Sequence, residues 1–312
     1  MGNQAQFQII DGPMPITELE MKTMKILVTG ATGQLGRLVV KHLQNRVSTD
    51  QIAVSVRDTA KAADLAAAGI DVRHGDYDDL ALMTNAFKGI DTALIISGET
   101  DNETRIRQHR TAVDAAKAAG VKHLVYTSFI DARPESPFTY GAIHADTENH
   151  IKESGLSFTL LRNSFYTDLL MAGVPHALET GDFGAPAGTG KVSYIPRNDL
   201  AEAAAVVLAS PADHLNKTYD LSGTPVSFTE IAAAIADATG KEIRYTNLPP
   251  EVHTGILASL GLPGHLVEAL TGMYTGTRNG DYNQTSDDFA RLVGRPPQST
   301  RDFLRHALTN PA

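Results

Sequence analysis

The stretch KILVTGATGQLGRLVV, residues 25–40, restricts what this chain can fold into more than any other segment. A β-branched run, Ile26–Thr29, breaks off at Gly30, and glycines recur at Gly33 and Gly36 as an apolar pattern of helical period begins. A residue without Cβ permits a tight turn at the first position, close approach of a diphosphate at the second, and tight helix–strand packing at the third. The helix that follows points its free N–H groups at the phosphates. The spacing is G-x-x-G-x-x-G rather than the G-x-G-x-x-G of many dehydrogenases. Gly30, Thr32, Gly33, Gln34 and Leu35 are therefore the candidate cradle of a dinucleotide.

The pattern around this turn agrees with it. Further β-rich runs fall at residues 52–56, 72–74, 92–96, 124–127 and 158–161, and helical runs at 35–43, 60–68, 80–87, 103–119 and 142–154. Gly69 and Gly120 stand where left-handed C-cap residues are expected. Such alternation predicts an α/β, doubly wound parallel (Rossmann) sheet, with ligands beyond the carboxyl ends of its strands. From about residue 163 the rhythm loosens. A helix at 199–208, a strand near 218–221 and an S-x-x-E capping box at Ser227 and Glu230 follow, the last helix closing at Gly240. The expected division is a nucleotide-binding domain over residues 24–162 and a smaller, mostly helical C-terminal lobe over 163–312, with some segments returning to the main domain. A cleft between them is the default ligand site. Residues 1–23 read as a poorly ordered extension, with Met21 and Met24 as alternative starts.

Composition excludes several other functions. There is no cysteine, which removes disulfides, thiolate metal sites and cysteine nucleophiles. The net charge of −9 argues against a nucleic-acid footprint. No stretch approaches the length of a membrane span, and the start carries no secretory signal, so a cytoplasmic protein is expected. The eleven histidines show no metal-ligand spacing, and no G-x-S-x-G elbow marks a hydrolase.

The strand ends point to the cofactor. The second run ends in Arg57, where an acidic residue would favour NAD and an arginine can hold the 2′-phosphate of NADP. Lys61 can add charge there, while Asp58 keeps NAD open. After the third run, Asp76 and Tyr77 stand where an adenine would lie; after the fourth, Ser97 and Gly98 stand near the ribose on the nicotinamide side.

The segments VTGATGQLG, VRHGDY, ISG, AAGVKHLVYTS, LLRNSFYTD and SDDFARLVG resemble those of the NmrA-like atypical short-chain dehydrogenase/reductases. The similarity is greatest to the subfamily of NADPH-dependent quinone oxidoreductases and triphenylmethane reductases. It runs from about residue 24 to the C-terminus, with the motifs in family order. This resemblance implies NADPH/NADP as cofactor, a C-terminal lobe over the nicotinamide, and reduction of small aromatic acceptors, quinones or triarylmethane dyes. It also places a histidine at His144 as a cofactor or substrate contact.

Ordinary short-chain dehydrogenases use Tyr-x-x-x-Lys, in which the lysine lowers the tyrosine pKa for proton transfer. Here the nearest arrangement is Tyr140 and His144 in YGAIH, without the lysine. An imidazole titrating near neutrality would protonate a developing quinolate. An electron-poor acceptor held near C4 of the nicotinamide needs no strong acid, so positioning would carry the catalysis. Asn163, after the sixth run, is the candidate contact to the nicotinamide amide or a substrate carbonyl, and Phe129, Phe165 and Tyr166 are candidate walls for an aromatic acceptor. A non-catalytic NADP(H)-sensing regulator is the alternative reading. A sugar-nucleotide epimerase fares worse, because its chemistry depends on the missing lysine. A homodimer is compatible with the sequence, yet no feature locates an interface.

Overall fold

The computed structural model describes residues 24–309; the extension expected over residues 1–23 lies outside them. Its first half alternates β1 (Ile26–Thr29), α1 (Gln34–Gln44), β2 (Ile52–Val56), α2 (Ala63–Ala67), β3 (Asp71–His74), α3 (Leu80–Ala86), β4 (Thr92–Ile95), α4 (Asn102–Ala118), β5 (His123–Phe129), α5 (Tyr140–Ser154) and β6 (Ser157–Asn163). The second half holds α6 (Val174–Thr180), β7 (Asp182–Ala185), β8 (Lys191–Val192), α7 (Arg197–Ala209), β9 (Lys217–Leu221), β10 (Val226–Ser227), α8 (Phe228–Thr239), β11 (Arg244–Asn247), α9 (Pro250–Ser259), α10 (Gly264–Asn279), α11 (Asp288–Val293) and α12 (Thr300–Thr309).

Strands β1, β2, β4 and β5 are buried at every position, which is what unbroken apolar runs produce when helices cover both faces of a parallel sheet. The seven-stranded sheet has the order β3-β2-β1-β4-β5-β6-β9, and every pairing in it is parallel. The chain winds outward from β1 in one direction and from β4 in the other, so the order reverses between them. One face packs α1 and α7, through Val39, Leu43, Leu200 and Val207, against β1 and β2. The other packs α3, α4 and α5, through Met83, Phe87, Val113 and Ile151. A third cluster, around Phe165, Phe183, Phe228 and Tyr282, gathers mostly second-half residues on the end of β5.

Several boundaries shift for local reasons. β5 and β6 extend to Phe129 and Asn163, which stand opposite each other in register. β4 stops before Ile96, whose N–H is taken by Thr29 Oγ1 at 3.0 Å instead of by a strand. The helix expected over 60–68 opens as a 3₁₀ turn at Thr59–Ala62, capped by Asp58, before the short α2. α7, β9 and α11 return from the second half to the main sheet. The lobe also contains two small sheets, β7 with β11 and β8 with β10. Their strands of two to four residues, with polar positions such as Lys191, Ser227 and Arg244, carry no apolar alternation to announce them.

Candidate functional site

The reversal between β1 and β4 opens a crevice at the strands' carboxyl ends, the place where open α/β sheets bind ligands. Gly30 there adopts φ +61°. Its N–H donates to Ser55 O at 3.0 Å and its carbonyl accepts from Gly33 N–H at 2.9 Å. A Cβ on Gly36 would lie 2.4 Å from Gly30 O, so α1 rests directly on the turn. A Cβ on Gly33 would come within 3.2 Å of the same oxygen. α1 begins without a side-chain cap and without an acidic residue in its first turn. Its first amide groups and its positive end are therefore unclaimed by the chain, which suits a pyrophosphate.

At the tip of β2, Arg57 is exposed and takes part in no hydrogen bond or ion pair among the described residues. Asp58 is committed elsewhere: its carboxylate caps the following turn by accepting from Ala60 N–H at 3.0 Å. Lys61 lies exposed one turn on, its carbonyl accepting from Arg37, which also pairs with Asp64 at 2.6 Å. With the Asp58 carboxylate turned to its cap, Arg57 and Lys61 are the exposed cations at this strand end, the type of group that a 2′-phosphate requires. Asp76 accepts from Asp78 N–H at 3.1 Å and so shapes its own loop. Tyr77 turns its hydroxyl inward, donating to Ile96 O at 3.0 Å beside Thr29, and burial pushes its phenol well up. Only its ring remains to face a ligand.

On the far side of the crevice a buried chain of hydrogen bonds sets a proton. Ser97 N–H donates to Thr127 Oγ1 at 3.0 Å, and Gly98 N–H donates to His109 Nε2 at 3.2 Å. A backbone amide can only donate, so His109 keeps its lone pair on Nε2 and its proton on Nδ1. Nδ1 faces Thr147 Oγ1 at 2.9 Å, and Thr147 gives its own proton to Ile143 O. Tyr126, 3.3 Å from His109 Nδ1, is left to donate to His144 Nδ1 at 2.8 Å. His144 must then carry its proton on Nε2, its one unengaged donor.

Burial, and then the nearby charge of Arg105, push His144 down to about 3. The expectation that this imidazole titrates near neutrality is corrected: at pH 7 it is a neutral N–H donor. Its partner His109 is also held at about 3, first by burial and then by His144.

The structure brings Tyr140 to the start of α5, with Arg105 over its ring at 3.9 Å and Phe138 in an edge contact with it, centroids 5.0 Å apart. No hydrogen bond joins Tyr140 to His144. Asn163 is 5% exposed and its Oδ1 is buried without a partner. An unmet acceptor of this kind costs about 1–3 kcal/mol, which an incoming amide N–H would offset. Phe129 and Phe165 do come together, ring centroids 5.0 Å apart, in a cluster with Phe138 and Tyr282. Both are buried at the base of the lobe. Tyr166 is not brought to them; successive residues of an extended segment face opposite ways, and its ring lies under Arg197 at 4.8 Å. A cavity of about 510 Å³ opens beside the Tyr140 turn, lined by Pro137 and Thr139 and by α10 residues such as Gly272. A second, of about 340 Å³, lies at the amino ends of the strands around Asp91 and His123, away from the glycine turn.

Sequence reasoning missed Arg105, His109, Tyr126 and Thr147. The first two stand four apart on α4, a spacing that puts them on one face. Tyr126 and Thr147 carry no local signal of their partnership.

Comparisons with known proteins point the same way. The profile of the NmrA-like family matches residues 22–291. Quinone oxidoreductase 2 of Escherichia coli (strain K12) is 40% identical over 90% of this chain and 98% of its own. NAD(P)H azoreductase of Xenophilus azovorans is 31% identical over 90% of this chain and 96% of its own. The structure of triphenylmethane reductase from Citrobacter sp., complexed with NADP(H), matches with a TM-score of 0.85 and 37% identity, covering 91% of this chain and all of the other.

Proposed function

Because this chain belongs to the NmrA-like family, we propose that it passes a hydride from NADPH to a quinone-like or triarylmethane-dye-like acceptor. It is an NAD(P)H-dependent oxidoreductase, a reductase of aromatic acceptors, with NADPH as its cofactor. The observation that carries this reading is the pairing of a glycine turn shaped for a pyrophosphate with an unengaged Arg57 at the next strand end.

When bound, NADPH supplies the hydride. The chain's own residues position it. The backbone of Gly30, Thr32, Gly33, Gln34 and Leu35 holds the pyrophosphate, Arg57 and Lys61 the 2′-phosphate, and Asp76 and the Tyr77 ring the adenine. Ser97 and Gly98 would hold the ribose on the nicotinamide side, and Asn163 would hold the carboxamide through its Oδ1. His144 offers its Nε2–H to the acceptor, with Tyr140 beside it. Phe129 and Phe165 back the acceptor from below, while Tyr166 would serve the same pocket only from its rim. The cavity beside Thr139 is the entry, because it opens next to Tyr140 and its size falls within the range of ligand pockets.

The domain division proposed is a nucleotide-binding unit built on residues 24–162, completed by α7, β9 and α11, and a lobe from the remaining C-terminal segments. The partner proposed is a small aromatic substrate, with neither nucleic acid nor membrane, and a homodimer is compatible with this reading. Among the described residues no helix is long and apolar enough to cross a membrane, and we place the protein in the cytoplasm.

The test is NADPH oxidation over a panel of neutral quinones, azo compounds and triarylmethane dyes. Rates that saturate with at least one acceptor are expected. Tight NADPH binding with no turnover on any of them would favour the alternative of an NADP(H)-sensing regulator.

A further inference from the structure

A buried positive charge lies beside the His144 chain and is not used by the function proposed above. Arg105 is 4% exposed on α4. Arginines this deep are ordinarily matched by a carboxylate, yet Arg105 forms no ion pair among the described residues. One Nη donates to Thr100 O at 2.8 Å, the guanidinium carbon stands 3.9 Å from the Tyr140 ring centroid, and Nε is buried without a partner. Its charge is felt at His144, Tyr126 and His109, which places it among the groups at the carboxyl ends of β4 and β5.

We propose that Arg105 selects acceptors by charge: it favours neutral, oxygen-bearing aromatics that become anions on reduction and opposes those that arrive as cations. The inference rests on the reading that the acceptor is reduced beside His144 and Tyr140. A quinone receiving a hydride gains two electrons and one proton. A C–H bond breaks on the reduced nicotinamide, a bond to hydrogen forms on the acceptor, and the oxidised pyridinium remains. The quinone thereby goes from neutral to monoanion and takes a second proton from water. A triarylmethane cation undergoes the same two-electron step from a single positive charge to neutrality.

Both acceptors become more negative by one charge, so a fixed cation assists the transfer in either case. They differ before it. A quinone enters uncharged, whereas the dye brings a positive charge to an unmatched guanidinium in a poorly solvated site. The Nε2–H of neutral His144 adds a donor for the new oxyanion without giving its proton away. Arg105 therefore raises kcat for both classes and raises KM for cationic acceptors alone.

The test uses the full chain with saturating NADPH, a neutral naphthoquinone and a cationic triarylmethane dye. Arg105→Met is expected to lower kcat on the quinone by about 10- to 100-fold. The same variant should lower KM for the dye by roughly 10-fold, and Arg105→Lys should keep the wild-type order. Equal losses on both acceptors, with the ratio of KM values unchanged, would show Arg105 to be packing only. Where Arg105→Met fails to fold, the wild type decides with a sulfonated, anionic dye against its cationic parent: a lower KM for the anion supports the inference and a lower KM for the cation overturns it. A wild type that turns over no acceptor overturns the proposed function itself, a result separable from failure of the charge preference.

Discussion

At the scale of the residue, the most informative side chains are those without a partner. Among the described residues Arg57 at the end of β2 makes no hydrogen bond or ion pair, while the neighbouring Asp58 caps the following turn. An isolated exposed arginine contributes little to folding. Its proposed role is toward the 2′-phosphate of the cofactor. Arg57→Asp is expected to lower NADPH affinity by about 10- to 100-fold, the range of one or two charge-assisted hydrogen bonds, and to leave NADH binding nearly unchanged. Titration calorimetry with both cofactors reads this, and an undiminished preference for NADPH would contradict the assignment.

The histidines behave differently, because burial rather than charge sets them. His109 and His144 ordinarily titrate near 6.5 and are held at about 3 in the fold. As pH falls below 6.5, the unfolded chain takes up a proton on each and the folded chain does not. The stability they confer is complete above about 6.5 and is lost as pH drops toward 3. At pH 5 the loss is about 2 kcal/mol for each histidine. Urea midpoints at pH 7 and pH 5 measure it, and His144→Asn should flatten the dependence; equal slopes in variant and wild type would refute a buried neutral imidazole. Activity should likewise show no titration near 6.5 attributable to His144.

At the scale of the element, two contacts decide whether the site is assembled. α1 rests on the Gly30 turn with no room for a Cβ at Gly36. Gly36→Ala must lift the helix from the turn, at a cost of about 1–3 kcal/mol. The larger effect is expected on NADPH binding, weakened by at least about 10-fold because the helix end and the pyrophosphate part company. Unaltered affinity would show that the helix end does not meet the phosphates.

α5 is held differently. Glu148, 2% exposed, accepts two bonds from Arg162 of β6, at 2.8 and 2.7 Å, and one from Ser128 of β5 at 2.6 Å. These bonds outweigh the desolvation that would raise its carboxyl, and hold it below the usual range. His144 is one turn upstream on the same helix. Glu148→Ala removes these bonds while Arg162 stays partly solvated, and is expected to cost about 2 kcal/mol, seen as a lower denaturant midpoint, with kcat falling more than KM rises.

At the scale of the whole molecule, what is legible in the sequence is what repeats. β1, β2, β4, β5 and β6 can be read because each carries an apolar run, β3 because it falls between two helical runs although Val72 is its one apolar residue, and the glycine turn because its chemistry is local. β9 is harder to place, because only the register of Leu160 against Thr218 reveals that it closes the sheet. The chain from Gly98 through His109 and Tyr126 to His144 joins a loop, α4, β5 and α5, so no spacing within one segment betrays it. Asn163 is legible by its position at the end of the sixth strand, but its unmet Oδ1 is not, since that depends on everything packed around it. The two halves of the site thus differ in origin: the cofactor half is written in neighbouring residues, and the acceptor half arises only when distant elements fold together.

These two halves must work together if the molecule is a reductase. The most direct measurement is a single turnover: protein loaded with one equivalent of NADPH is mixed rapidly with excess naphthoquinone, and the reduced-nicotinamide absorbance is followed. A complete decay whose rate saturates with quinone concentration is the predicted result. Persistence of the bound NADPH signal at every quinone concentration, in protein shown to bind the cofactor, would contradict it.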